Sequence, residues 1–174
     1  MISAIIQARM GSTRLPRKVL MEIAGQTLLS YQIKRIRKSK LVDQIIVATT
    51  NEKIDDDIAQ HCKDLGVDVF RGSEDDVLGR YYEAAKAFNS DIIIRLTADC
   101  PLLDFEIIDK TVELFIDKKV NYAANTVPPE TSMYPDGSDV EVFDFQSLEK
   151  AHFECKDSHD REHVTFYFWK YGKE

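Results

Sequence analysis

The chain has 174 residues, of which 44% are hydrophobic, and it carries a formal net charge of -7 at pH 7. This length and hydrophobic content are typical of one compact domain that buries its own core, so we expect residues 1–174 to form a single domain. The acidic balance argues against binding to nucleic acid or to a membrane surface, because phosphate backbones and anionic lipids select clustered basic faces.

The three cysteines, Cys62, Cys100 and Cys155, are widely spaced and include no CxxC pair. Neither a disulfide framework nor a zinc site is therefore predicted, and a reducing cytoplasm is the expected location. No apolar run reaches the length that crosses a membrane, and no charged start is followed by a long apolar core. We therefore expect neither a transmembrane helix nor a signal peptide.

Buried strands are predicted by four apolar, β-branched runs in the first hundred residues, which are 3–7, 44–50, 67–70 and 91–97. Helical periodicity of apolar residues marks the segments between them, which are 28–36, 54–65 and 77–85. Buried strands that alternate with amphipathic helices indicate a three-layer α/β fold, in which helices cover both faces of a mostly parallel sheet.

The last seventy residues predict further elements with a looser pattern. We expect one helix over 104–119, with Asp104 as its N-cap, and another over 145–156. Hydrophobic and acidic residues alternate over 139–145, which predicts a half-exposed strand after a proline-containing loop. The apolar run 163–171 predicts a closing strand.

The segment 8–18, directly after the first predicted strand, is rich in cations and small polar residues. Its cations are Arg9, Arg14, Arg17 and Lys18, and its small residues are Gly11, Ser12 and Thr13. Ligands of open α/β sheets bind outside the carboxyl ends of the strands, where such cations suit phosphate oxygens. A solvated loop is the alternative. The patterns GxxxxGK[ST] and GxGxxG are absent, so neither a P-loop ATPase nor a dinucleotide oxidoreductase is predicted.

Asp99, in the stretch RLTADCPLLD at 95–104, is a second candidate at the end of a predicted strand. Beside the basic loop, its carboxylate would hold a divalent cation that faces the phosphates, as nucleotidyl transfer needs. A helix cap or a turn residue is the alternative. In FRGSEDDVLGRYYEAA, at 70–85, the acids are typical of a helix start, whereas Arg71 and Arg80 are long enough to reach a base or a phosphate.

Two later stretches combine carboxylates with a His–Asp–Arg–Glu–His cluster. They are YPDGSDVEVF at 134–143 and SHDREHVTFY at 158–167, and they would suit a polar acceptor. A solvated loop is again the alternative. His159 and His163 do not follow the HExxH spacing, so the cluster is a weak candidate for a metal site.

The whole chain carries motifs of one known family. IIQARMGSTRLPRKVL, IIVATT, DVFRGSEDDVLGRYYEAA, RLTADCPLLD, YPDGSDVEVF and DREHVTFY together resemble the cytidylyltransferases of spore-coat polysaccharide biosynthesis, which are related to CMP-sialate and CMP-KDO synthetases. The resemblance implies a nucleotide-diphospho-sugar transferase fold, which is Rossmann-like. It also implies an enzyme of surface polysaccharide biosynthesis that uses CTP and Mg²⁺ to transfer CMP to the hydroxyl of a sugar acid or similar acceptor, with release of pyrophosphate.

The same resemblance implies roles for individual residues. Those expected to bind the nucleotide are Ala8, Arg9, Gly11, Ser12, Arg14, Lys18, Arg71, Ser73 and Thr97. Arg14 and Lys18 would also neutralise the leaving pyrophosphate, and Asp99 would be the magnesium ligand. Those expected to bind the acceptor are Asp136, Asp139, Glu141, Arg161 and His163.

Two properties of the family concern assembly and length. Relatives form a two-fold dimer through a segment that corresponds to 121–135, so a homodimer is expected. They also continue beyond the position of Glu174 into a further acidic motif, so the chain is expected to lack the family's C-terminal segment.

Two other functions remain open. A metal-dependent glycosyltransferase on a related sheet would cleave a nucleotide sugar and typically uses a DxD pair, but the acids at 55–57 lie at a predicted helix start. A CTP-binding module without catalysis is the other alternative.

Overall fold

A mixed, mostly parallel β-sheet lies at the centre of the computed structural model, which describes residues 1–12, 15–126, 132–135 and 137–172. The strands are β1 Ile2–Gln7, β2 Glu22–Ile23, β3 Gln26–Thr27, β4 Gln44–Thr50, β5 Asp68–Gly72, β6 Ile92–Thr97, β7 Tyr122–Ala124 and β8 Glu141–Asp144. Six of them form the central sheet in the order β5-β4-β1-β6-β8-β7, and β2 pairs with β3 alone. The strands β5, β4, β1 and β6 are parallel, whereas β8 runs antiparallel to both β6 and β7.

Helices lie on both faces of this sheet. They are α1 Leu28–Ile36, α2 Asp56–Asp64, α3 Val77–Ala87, α4 Phe105–Lys118, α5 Phe145–Glu154, α6 Ser158–His163 and α7 Phe166–Tyr171. Successive residues of β1 point to opposite faces, and Ile5 and Ile6 are both fully buried. Ile6 belongs to the core formed with α1, α2 and α4, while Ile5 belongs to the core formed with α3, α5 and α7. The predicted three-layer α/β fold is therefore confirmed.

Helix boundaries follow local sequence signals. Asp104 caps α4, since its side chain accepts a hydrogen bond from the Glu106 N–H, as predicted. Gly66, which the sequence indicates as a stop after the second helix, has a φ of +62° that other residues rarely adopt. These signals depend only on neighbouring residues, which is why the sequence alone reveals them.

Two predictions about the C-terminal region were wrong. The strand β8 is buried rather than half-exposed, because it lies between β6 and β7 and both of its faces are covered. The predicted closing strand 163–171 is instead the end of α6 followed by α7. Its aromatic side chains, including Tyr167 and Phe168, pack on the core against α3 and α5, so tertiary packing overrides their preference for strands.

In the described ranges of the chain, no helix is both long and apolar enough to cross a membrane.

Candidate active site

A cleft of about 610 Å³ opens at the carboxyl edge of the parallel strands. Its floor comes from the ends of β1 and β6, which are paired from Ile2↔Ile92 to Gln7↔Thr97. Its described walls come from the loop after β1, from 74–80 at the start of α3, and from α6. This is the position at which the sequence predicted a ligand site, since connecting loops converge at that edge.

The basic loop after β1 is anchored by a buried carboxylate. Asp55 is 1% exposed, and it accepts a hydrogen bond of 2.7 Å from the Met10 N–H as well as one from the Thr50 hydroxyl. Arg17 turns the chain with a φ of 62°, and its N–H donates to the Met10 carbonyl oxygen at 3.1 Å. These hydrogen bonds fix the described parts of the loop at Met10 and Arg17, as a flexible solvated loop would not.

The described cations of the loop each have an acidic partner. Arg9 Nη1 lies 3.2 Å from Glu74 Oε1, and Lys18 Nζ lies 3.0 Å from Asp99 Oδ2. The fourth predicted cation, Arg14, lies outside the described residues. Ala8, Arg9, Ser12 and Lys18 line the cleft, whereas Arg17 pairs with Asp57 and does not. A Cβ at Gly11 would lie 3.5 Å from Glu74 Oε1, an ordinary contact, so the described packing does not itself require glycine there.

Asp99 faces the cleft and does not cap a helix, because α4 begins at Phe105 and its cap is Asp104. The Asp99 side chain is 47% exposed. Partial burial raises the pKa of its carboxyl, but hydrogen bonds from Lys18 and Thr97 outweigh that effect and hold the pKa below its ordinary value. Asp99 is therefore an ionised carboxylate beside an ammonium group at neutral pH.

Thr97 lines the cleft beside Asp99, and its Oγ1 lies 3.3 Å from Cys100 Sγ. Burial raises the pKa of the Cys100 thiol to about 11, so the thiol is protonated at neutral pH and is a poor nucleophile. Cys100 therefore has a structural role in the turn after β6 rather than a role as a catalytic thiol.

Arg71 and Ser73, expected from the family resemblance to read the base, do not line the cleft. The Arg71 guanidinium donates to the carbonyl oxygens of Thr50 and Glu52 at 2.8 and 3.0 Å, and to Asp56 Oδ1 at 2.6 Å. Arg71 therefore holds the β4–α2 connection against β5. Ser73 Oγ accepts from the Asp76 N–H just before α3.

One of the five predicted acceptor residues, His163, lines the cleft, and Asp136 lies outside the described residues. Asp139 accepts hydrogen bonds from the Thr126 hydroxyl and the Gly137 N–H within its own loop. Glu141 is 3% exposed and pairs with Arg95 inside the protein. The structure does not support direct contact of Asp139 or Glu141 with an acceptor.

Arg161 is also placed differently from its prediction. Its Nε and Nη2 donate to the two carboxylate oxygens of Asp76 at 3.0 and 2.7 Å, while Nη1 donates to the carbonyl oxygens of His152 and Cys155. Arg161 therefore clamps α6 to the start of α3, and it supports the cleft wall rather than lining it.

Five further residues line the cleft, namely Gln7, Arg80, Arg95, His159 and Glu162. The sequence had indicated Arg80 and the cluster at 158–167 as candidates without assigning roles to Arg80, His159 or Glu162, and it had not indicated Gln7 or Arg95. Arg95 interrupts the buried run of β6, and a charge inside such a run was the signal that it serves a site. His159 and His163 come from α6, with ring centroids 4.5 Å apart, and His163 stacks on Phe166. The sequence indicated this cluster as a possible acceptor site but did not predict that it forms a helix.

A family model for cytidylyltransferases matches residues 3–171 of the chain. A cytidylyltransferase structure from Leptospira borgpetersenii superposes with a TM-score of 0.92 and 39% identity, over 99% of this chain and 72% of that one. The CMP-KDO synthetase structure with CTP superposes with a TM-score of 0.76 over 98% of this chain and 86% of that one, and at 18% identity it speaks for the fold alone.

Curated relatives agree with this match. An uncharacterized protein of Methanocaldococcus jannaschii is 45% identical over 97% of this chain and 67% of its own length. The spore coat polysaccharide biosynthesis protein SpsF of Bacillus subtilis is 41% identical over 68% of this chain and 51% of its own length. The chain thus spans between half and two thirds of these relatives. The resemblance stated from the motifs and the predicted fold type are both confirmed.

Proposed function

We propose a function from the premise that this chain belongs to the cytidylyltransferase family: it transfers CMP from CTP to the hydroxyl of a sugar acid or similar acceptor and releases pyrophosphate. The observation that carries this proposal is that cations suited to bind phosphate and the ionised carboxylate of Asp99 lie in one cleft. Lys18 Nζ and Asp99 Oδ2, which are 3.0 Å apart, meet there although the two residues are 81 positions apart in the chain.

The chain's own residues would act mainly by position and charge. The acceptor hydroxyl attacks the α-phosphate of CTP in line, and Arg9 and Lys18 offset the negative charge of the phosphate oxygens as pyrophosphate leaves. From the sequence, Arg14 is proposed to act with them. Because Asp55 holds the Met10 N–H, the described start of the loop needs little reorganisation when the nucleotide binds.

Magnesium dependence is a further part of the proposal. Asp99 offers hard oxygen ligands, and its side chain is 47% exposed toward the cleft, which suits a cation that is held by one carboxylate and by substrate phosphates. When bound, Mg²⁺ would supply positive charge to the phosphate oxygens. Lys18, which is the counter-ion of Asp99 in the structure, would then be free to bind phosphate.

The acceptor side of the cleft is proposed to be α6. His159, Glu162 and His163 of this helix line the same cleft as the cations of the basic loop. SpsF is by its name a protein of spore coat polysaccharide biosynthesis, and by analogy we place the product of this enzyme in surface polysaccharide synthesis.

A cytoplasmic homodimer is the proposed physiological form. The three cysteines are buried and unpaired, which fits a reducing compartment. Met133 and Tyr134, within the expected dimer segment, are 96% and 41% exposed, so this segment presents apolar side chains that a partner subunit would cover.

The glycosyltransferase alternative loses support, because each acid at 55–57 has a structural partner. Asp55 anchors the basic loop, Asp56 pairs with Arg71, and Asp57 pairs with Arg17. None of the three lines the cleft.

A pyrophosphate-release assay that crosses the four nucleoside triphosphates with a panel of acidic sugars tests the proposed function. Release with CTP and one class of acceptor is the expected result. Release of a nucleoside diphosphate from a nucleotide sugar would favour the glycosyltransferase instead. Tight CTP binding without turnover with any acceptor would favour the binding module.

A further inference from the structure

Arg80 is a buried cation in the first turn of α3, beside the cleft. The residue is 3% exposed, yet it contributes to the cleft wall. Its helix neighbours Leu78 and Tyr81 are core residues with no exposed surface. A charged residue in such a position needs a physical reason, because taking a guanidinium out of water costs free energy.

The stem of Arg80 occupies space that a glycine leaves open. A Cβ at Gly72 would lie 3.1 Å from Arg80 Cγ, which is tighter than ordinary contact. Arg80 Nη1 donates to the carbonyl oxygens of Ser73 and Glu74, and these bonds orient the guanidinium. Backbone groups therefore position this side chain before any ligand is bound.

The other cations of the cleft have acidic partners, and the pairs are Arg9 with Glu74, Lys18 with Asp99, and Arg95 with Glu141. Among the residues that the structure describes, Arg80 forms no ion pair, and its buried Nε has no hydrogen-bond partner. Buried charges are normally paired, and an unpaired one is costly.

The surroundings of Arg80 compensate its charge only in part. Burial lowers the pKa of Arg80 from its ordinary value and the positive charge of Arg9 acts in the same direction, whereas Tyr81, Asp55 and Glu74 raise this pKa without restoring it. The nearby carboxylate of Asp55 is already used, since it accepts hydrogen bonds from the Met10 N–H and the Thr50 hydroxyl. The Glu74 carboxylate is likewise used, since it pairs with Arg9. An anion that enters the cleft would therefore meet a guanidinium that has no ion-pair partner of its own among the described residues.

We propose that Arg80 binds a phosphate group of the nucleotide, so that the ligand supplies the counter-ion that the described protein residues do not. This inference rests on the proposed function, which makes that ligand a nucleoside triphosphate. A guanidinium presents several N–H donors in one plane, which match the oxygens of a phosphate. The attraction is strong because the site is shielded from water.

The test compares ligands with and without phosphate in the Arg80→Met variant. Methionine fills a similar volume without a charge, so the unliganded protein should unfold at an unchanged or higher temperature. Affinity for CTP and for inorganic pyrophosphate, measured by calorimetry, should fall by about 10- to 100-fold. Affinity for cytidine, measured by competition, should not change.

Two further variants complete the design. Arg80→Lys keeps a charge but not the planar donors, and it should lose less pyrophosphate affinity than Arg80→Met. Arg37→Met is the matched control: Arg37 is exposed at the end of α1, its Nη2 donates to the Leu65 carbonyl oxygen, and it lies outside the cleft lining. Its loss should leave all three affinities unchanged.

The results separate this inference from the proposed function. Unchanged pyrophosphate affinity in Arg80→Met would overturn the inference, as would loss of cytidine affinity with pyrophosphate affinity kept, which would make Arg80 a base contact. If Arg80→Met unfolds at a lower temperature but binds pyrophosphate normally, the role of Arg80 is structural only. Wild-type protein that binds pyrophosphate but shows no preference for CTP and no turnover would refute the function while Arg80 remains a phosphate ligand.

Discussion

Lys18 Nζ lies 3.0 Å from Asp99 Oδ2, although the two residues are 81 positions apart in the chain. They meet because β1 and β6 are adjacent parallel strands, so the segments after both strands end at the same edge of the sheet. In the protein without ligands, each of the two groups is the counter-ion of the other.

Removal of Lys18 should raise the pKa of Asp99. Lys18→Met removes a hydrogen bond that lowers this pKa, while partial burial, which raises it, remains. In the wild type, the ionised carboxylate contributes stability above the unfolded pKa of about 3.9, and that contribution is lost as the pH falls through the lower folded pKa. Carbon-detected NMR titration of the Asp99 carboxyl measures the shift directly.

Lys110→Met is the control for that titration, because Lys110 is exposed on α4 and does not line the cleft. An Asp99 pKa that moves equally in both variants would show that the effect is one of net charge. Lys18→Met should also weaken CTP binding by about 10-fold or more, since a charge-assisted contact to phosphate is lost.

Asp99→Asn should reduce turnover on the order of 100-fold, because the variant keeps an oxygen but loses the charge that a divalent cation needs. CTP binding without Mg²⁺ should persist or improve, since Lys18 is released from its partner. Initial rates and CTP affinity are measured for the variant and the wild type, after the wild-type protein has been shown to release pyrophosphate. Normal turnover in Asp99→Asn would remove this residue from the proposed mechanism.

Arg161→Met should loosen the clamp between α6 and α3, at a cost of about 1–2 kcal/mol in the free energy of unfolding. Partial burial raises the pKa of Asp76, but hydrogen bonds from Arg161 and the Gly79 N–H outweigh it, so the folded pKa is lowered. The clamp therefore contributes above about pH 4, and the difference from wild type should shrink as the pH falls below that value. Urea unfolding at pH 7 and pH 3 tests this; an equal loss at both pH values would contradict it.

Glu141→Gln should destabilise the protein by about 3–5 kcal/mol, because it leaves Arg95 buried without its ion-pair partner. The Arg95 and Glu141 side chains are 15% and 4% exposed, and Tyr122 donates to Glu141 Oε1 at 2.6 Å. The double variant Arg95→Met with Glu141→Leu should lose much less. Glu113→Gln, on the exposed side of α4, is the control. A neutral effect of Glu141→Gln in urea unfolding would mean that water in the cleft solvates Arg95.

Light scattering should give a mass of twice the 20.0 kDa chain at micromolar concentration if the proposed homodimer forms. Met133→Glu places a charge on an apolar side chain that is 96% exposed, and it should shift the mass toward the monomer. Ile54→Glu is the control, at a 52% exposed position in the connection between β4 and α2, and it should not change the mass. A wild-type mass equal to that of one chain at all micromolar concentrations tested would refute the dimer.

Local patterns in the sequence were enough for the strand–helix alternation, the basic loop after β1 and the carboxylate after β6. Each of these depends on periodicity, on a cap or on a position at a strand end, and neighbouring residues encode such features. The helix at 166–171 was missed because it lacks such a local signal. An aromatic run has no period of its own and takes its conformation from the core that it covers.

Only the tertiary structure decided which cations face the cleft. Three arginines, Arg71, Arg80 and Arg161, lie in equally polar stretches of the sequence. Arg71 is held by the β4–α2 connection, and Arg161 is held by Asp76, which is 85 positions away. Arg80 is left without an acidic partner among the described residues and lines the cleft. The sequence by itself determined where the strands end and that cations follow them. The pairing of charges depends on distances between remote segments, and those distances exist only after the chain has folded.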